Sequence, residues 1–96
     1  MSKLVRDGLV EEIRRDEGRR VVDVAEVGEY EGLLSKKLVE EATEWAVDRD
    51  VRELADCLEV LHAIVGHMGI PWAEVERLRQ LKREQRGGYE GRHVLR

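Results

Sequence analysis

Apolar residues recur at helical spacing over most of this chain. Leu34, Leu38, Ala42 and Trp45 form one stripe, and Leu54, Leu58, Leu61, Val65 and Met68 form another. These patterns predict helices over residues 29–48 and Val51–Met68. Gly32 weakens the first turn of the earlier helix, so its regular part is expected from about Leu33. Asp48-Arg49-Asp50 marks a tight turn between them, with Asp50 as N-cap of the second helix and Gly69 as its stop. Ahead of this pair, residues 5–17 read as a short amphipathic helix with Asp7 as N-cap, Leu9, Val10 and Ile13 on its apolar face, and Gly18 as its end. Residues 20–27 are rich in valine and predict a short strand, closed by Gly28. Pro71 opens a fourth helix that runs to about Arg86, where Gly87-Gly88 ends it. The expected fold class is all-α, a four-helix bundle around a central antiparallel hairpin of residues 33–48 and 51–68. The pattern also allows a minor β ribbon pairing Val21–Val24 with Arg92–Leu95.

The polar positions beside those stripes carry the candidate chemistry. Glu41 and Glu44 stand three apart on one predicted helix, and Glu53 and Asp56 three apart on the next. Residues at i and i+3 share a helix face. Each pair flanks its apolar stripe and spans about 60° of the helix surface, whereas Glu40 points away. A hairpin with so short a turn folds the two pairs toward one point. Four converging carboxylates repel one another unless a cation joins them. The hard oxygen donors point to Mg²⁺, and Mg²⁺ on a small helical protein points to phosphate chemistry. A solvated charged surface is the plainer reading, because 40% of the residues are charged. The position of the pairs at the edge of a buried seam raises the site reading to equal standing with it.

Composition narrows the alternatives. Ninety-six residues make one domain, 1–96. A chain this short, with no Phe and four aromatic residues in all, buries a modest core. Wide apolar helix faces would be better covered by a second copy, so a homodimer or homotetramer is expected. The net charge of −4 and the scattered arginines give no nucleic-acid footprint. Cys57 is the single cysteine and reads as a packed thiol; His62 and His67 fall on different faces and do not read as ligands. No apolar run is long enough to span a membrane. The opening MSKLVRDGLVEEI carries charges where a signal peptide would be apolar. A cytoplasmic protein is the expectation.

At these residues a family pattern appears. KLVEEATE followed by ELADCLEVL resembles the metal-binding motif of the MazG-like, all-α nucleoside triphosphate pyrophosphohydrolases. The motif falls here on Glu40-Glu41, Glu44, Glu53 and Asp56. The opening KLVRDGLVEEI and the closing LKREQRGGYEGRHVL are similar to the ends of a short single-domain MazG-like subgroup related by analogy to phosphoribosyl-ATP pyrophosphohydrolase. Two departures stand out: the spacer between Glu44 and Glu53 is short, and Gly8-Leu9 follows Asp7 where related sequences tend to carry Lys, Ile and Pro.

The resemblance implies Mg²⁺-dependent hydrolysis of a nucleoside triphosphate to the monophosphate and pyrophosphate. Glu41, Glu44, Glu53 and Asp56 would hold the metal, with Glu41 or Glu44 doubling as general base. Lys37 either contacts phosphate or simply pairs with Glu41 one turn on. Lys82, Arg83 and Arg86 suit the end of a helix dipole; the resemblance makes Lys82 and Arg86 phosphate contacts, with Lys3 and Arg6 behind them. Trp45 reads as core, while Trp72 and Tyr89 could stack on a base. Two alternatives remain: a phosphoribosyl-ATP pyrophosphohydrolase of histidine synthesis, and a non-catalytic helical oligomer that binds a nucleotide or a protein.

Overall fold

The structure is a computed structural model and describes residues 2–16 and 21–96. Every regular element among the described residues is helical. A 3₁₀ turn, Asp7–Leu9, leads into α1, Val10–Arg15; then follow α2, Val27–Asp48, α3, Val51–Met68, and α4, Trp72–Arg86. Arg6 occupies the cap position of the opening turn and makes no side-chain cap bond. Asp7 is therefore not the N-cap that the sequence suggests, although its charge still sits in a first turn, where the dipole favours it. The expected stop at Gly18 lies outside the described residues.

The strand expected at residues 20–27 does not form. Residues 21–26 carry no regular structure, and Val27 already belongs to α2. The backbone N–H of Val24 is taken by its neighbour Asp23 Oδ1 at 2.9 Å, so a local side chain claims a donor that a strand would need. Val21 and Val24 are 91% and 87% exposed. Residues 92–95 are likewise irregular, and the minor β ribbon is absent among the described residues.

Helix α2 starts earlier than its glycines suggest. Tyr30 N–H donates to Glu26 O at 2.8 Å, which sets the first turn ahead of Gly32. Each glycine in a helix costs about 1 kcal/mol, and a helix of 22 residues absorbs it. Arg49 closes α2 in the left-handed region at φ 57°, with its N–H on Trp45 O at 2.8 Å and its guanidinium 5.5 Å from the Trp45 ring centroid. Asp50 then caps α3 as expected: its Oδ1 accepts the Arg52 N–H at 2.9 Å, and its carbonyl accepts Glu53 N–H at 3.0 Å. Arg52 also holds the Asp50 carboxyl below the usual carboxylate range, through its guanidinium and then its N–H. At the far end, Gly69 takes φ 72°, with Gly69 N–H on Gly66 O and Ile70 N–H on Val65 O. That is the Schellman arrangement, and it explains why a glycine stands there.

The chain divides into two compact units, residues 1–64 and 65–96. The first holds α1, α2 and most of α3; α2 and α3 form a tightly packed antiparallel hairpin across the two-residue connector Arg49-Asp50. The second holds the end of α3, α4 and the segment beyond it.

The seam of the hairpin departs from the expected stripes. The buried side chains are Leu34 at 3% exposure, Val60 at 8% and Glu41 at 8%. Leu38 is half-buried, but Trp45 is 38% exposed. On α3, Leu54, Leu58 and Leu61 are 49%, 47% and 38% exposed. The face of α3 that meets α2 instead carries Glu53, Asp56, Cys57 and Val60. It lies about a third of a turn round the helix from the leucine stripe, at about 100° per residue. The carboxylates are thus in the seam itself, and the leucines look outward.

Candidate metal centre

The turn fixes the register of the hairpin. Glu44 lies one turn before the end of α2 and Glu53 in the first turn of α3, and Glu41 and Asp56 each lie three residues further from the connector. Each pair therefore faces the other across the seam. Glu41 lies on the same line of α2 as Leu34, and Glu53 on the same line of α3 as Val60. The seam is apolar at Leu34 and Val60, away from the turn, and acidic nearer to it. One carboxylate oxygen from each of Glu41, Glu44, Glu53 and Asp56 lies within 4.8 Å of the others. Glu53 and Asp56 are half-buried, and Glu44 stands at the boundary between half-buried and exposed.

These donors fit a hard divalent cation. All four are carboxylates, the ligands that suit Mg²⁺, Mn²⁺ or Ca²⁺ rather than a soft metal. Opposite ligands stand about 4.2 Å apart around Mg²⁺ and about 4.8 Å around Ca²⁺. Oxygens already within 4.8 Å need only small side-chain adjustments to close on one ion.

Burial, and next the Glu44 carboxylate, push the Glu41 carboxyl above its usual range; Asp56 and a hydrogen bond with Glu44 add to this, and Lys37 opposes it. Lys37 Nζ stands 3.6 Å from Glu41 Oε1 and 3.5 Å from Glu40 Oε2. The plain pairing expected for Lys37 is present. Arg6 Nη2 donates to Asp56 Oδ1 at 2.9 Å. Cys57, half-buried, is close enough to respond to the whole cluster: burial raises its thiol, then Glu41, Asp56, Glu53 and Glu44 in that order.

The other candidates are mostly exposed. Lys82 and Arg86 are exposed on α4, in the second unit, and Arg83 Nη1 pairs with Glu90 Oε1 at 3.0 Å. Trp45 lies at the exposed end of the hairpin under Arg49, Trp72 is half-buried at the start of α4, and Tyr89 is 97% exposed. What sequence reasoning underweighted is the segment before α1. Lys3 Nζ reaches Glu40 Oε1 at 4.0 Å, Lys36 Nζ donates to Ser2 O at 3.5 Å, and a groove of about 550 Å³ opens between this segment and α2. The signal for it was present in the run of Lys3 and Arg6, but nothing in a linear pattern says which helix such a segment crosses. Among the described residues no helix is long and apolar enough to cross a membrane. Compared with family models, with curated proteins and with solved structures, the chain matches none of them.

Proposed function

We propose that this chain is a Mg²⁺-dependent nucleoside triphosphate pyrophosphohydrolase of the MazG-like kind, releasing pyrophosphate and a nucleoside monophosphate. The observation that carries this reading is the convergence of Glu41, Glu44, Glu53 and Asp56 from two helices onto one point. The motif resemblance supplies the reaction. When bound, the metal supplies charge neutralisation for the phosphate oxygens and for the pyrophosphate leaving group.

The chain's own residues do the rest. Glu41 and Asp56, on facing helices, would hold the metal together with Glu53, which lies nearer the turn. Glu44 is the more open member of its pair, which supports it over Glu41 as the base that would take a proton from an attacking water. Lys37 keeps Glu40 and Glu41 oriented and limits their repulsion. The half-exposed leucines of α3 support a second element of the reading, in which two copies of the chain pair through Leu54, Leu58 and Leu61.

The test is pyrophosphate release from a panel of canonical and modified nucleoside triphosphates, with Mg²⁺ and with chelator, by wild type and Asp56→Asn. Metal-dependent release that the variant loses while keeping its helical circular dichroism is the expected result. A folded wild type that releases pyrophosphate from none of them refutes the reading.

A further inference from the structure

Two cations form ion pairs with the carboxylate cluster among the described residues, and they are held differently. Lys37 belongs to α2, is 20% exposed and is shared between Glu40 and Glu41. Arg6 comes from the extended segment before α1 and is 57% exposed, yet makes the shorter contact, 2.9 Å to Asp56 Oδ1. Neither its helix nor its burial ties it there.

A guanidinium on Asp56 and a metal ion on Asp56 compete for one carboxylate. Two cations meeting there repel each other, and the one that can leave is the exposed arginine. An ion pair this open to solvent is worth little and breaks easily. We propose that Arg6 is the exchangeable counter-ion of Asp56: it neutralises that carboxylate in the metal-free protein, is released when Asp56 turns to a divalent cation, and is then free to meet the phosphates of the substrate. The last step rests on the pyrophosphohydrolase reading; the exchange itself rests only on the metal site.

The opposite role gives the opposite sign. An arginine that orients a metal ligand from outside raises metal affinity, and losing such a partner typically weakens binding by about 10- to 100-fold. An exchangeable counter-ion lowers it. The experiment is calorimetric titration of the full chain with Mn²⁺ alone, for wild type, Arg6→Gln, Arg6→Lys and the control Arg14→Gln, which removes the same charge from α1. The dissociation constant for Mn²⁺ should fall about threefold in Arg6→Gln, the scale of an exposed ion pair, stay near wild type in Arg6→Lys, and be unchanged in Arg14→Gln. At saturating Mn²⁺, binding of an α,β-methylene nucleoside triphosphate analogue should weaken about tenfold in Arg6→Gln and be restored by Arg6→Lys.

Weaker or unchanged Mn²⁺ binding in Arg6→Gln overturns the exchange, and so does a wild type that binds no Mn²⁺. Unchanged analogue binding overturns the phosphate contact. A wild type that binds Mn²⁺ but hydrolyses no triphosphate refutes the proposed function and leaves the exchange standing.

Discussion

Glu41 is the residue at which the fold and the site make opposite demands, and Glu41→Gln separates them. This carboxylate is 8% exposed and crowded by Glu44 and Asp56. Two unit charges 4.8 Å apart, the outer limit within the cluster, repel by about 3.5 kcal/mol at an effective dielectric of about 20. Lys37 at 3.6 Å returns about 4.6 kcal/mol by the same rule. The repulsions of Glu44 and Asp56, set against one attraction, leave about 2 kcal/mol unfavourable, and Glu53 and burial add to it. Glutamine keeps the shape and removes the charge, while Lys37 retains Glu40.

The variant should therefore be more stable than wild type in chelator at neutral pH, by about 1–2 kcal/mol, or about 5–10 °C in Tm for a domain of this size. The pH dependence follows from the raised Glu41 carboxyl. A group that binds its proton more tightly when folded favours the fold at low pH, and that stability is lost as pH rises from the ordinary carboxylate range through the raised value. The advantage of Glu41→Gln should accordingly vanish at acid pH, where wild type is protonated. Metal reverses the order. At a hundredfold excess over its dissociation constant, Mn²⁺ should stabilise wild type by about 2.7 kcal/mol and Glu41→Gln by much less. Thermal unfolding by far-UV circular dichroism, with and without chelator across that pH range, reads all of this. A variant less stable than wild type in chelator, or one that keeps the full metal-induced rise, refutes the reasoning.

Three further outcomes follow from the packing. Leu34→Ala removes the most buried apolar side chain, 3% exposed, and should cost about 2–5 kcal/mol in denaturant melts. Gly69→Ala places a Cβ in open space but at φ 72°, so it should cost about 1 kcal/mol of purely conformational origin, read in the same melts. Leu58→Glu charges a side chain that is already 47% exposed; it should leave the helical content unchanged and, where the proposed dimer forms, convert it to monomers in sedimentation velocity.

Much of this arrangement was legible in the chain because it depends on local signals. The bounds of α3, the Asp50 cap, the Gly69 stop and the connector all follow from residues that act within a few positions of themselves. The four carboxylates were legible for the same reason, since i,i+3 spacing and a two-residue connector leave few places for them to go. The misreadings arose where a local preference met something that the pattern omits. The valines of residues 21–26 have β propensity, but with no partnering edge that preference produces no strand. Gly28 and Gly32 discourage a helix, yet α2 runs through both. Arg6 sits 50 positions from Asp56, a contact with no trace in linear spacing.

The largest difference, the rotation of α3, ties the site to the rest of the fold. A hairpin that simply maximised apolar burial would turn Leu54, Leu58 and Leu61 toward α2 and put Glu53 and Asp56 in water. Here the carboxylates face inward and the leucines remain at 38–49% exposure. In an isolated, metal-free chain both choices are unfavourable, because each exposed leucine forgoes burial worth about 1.5–3 kcal/mol when complete and each added carboxylate raises the repulsion. Each becomes favourable in the presence of something that the single chain does not contain: a divalent cation between the helices, and an apolar surface against the leucines. A second copy offers such a surface, since it carries the same leucines. If both hold, the two effects are linked through α3. A metal that fixes the rotation of the helix also fixes the presentation of its leucines, so chelator should weaken dimerisation, and Leu58→Glu should weaken metal binding without touching a ligand.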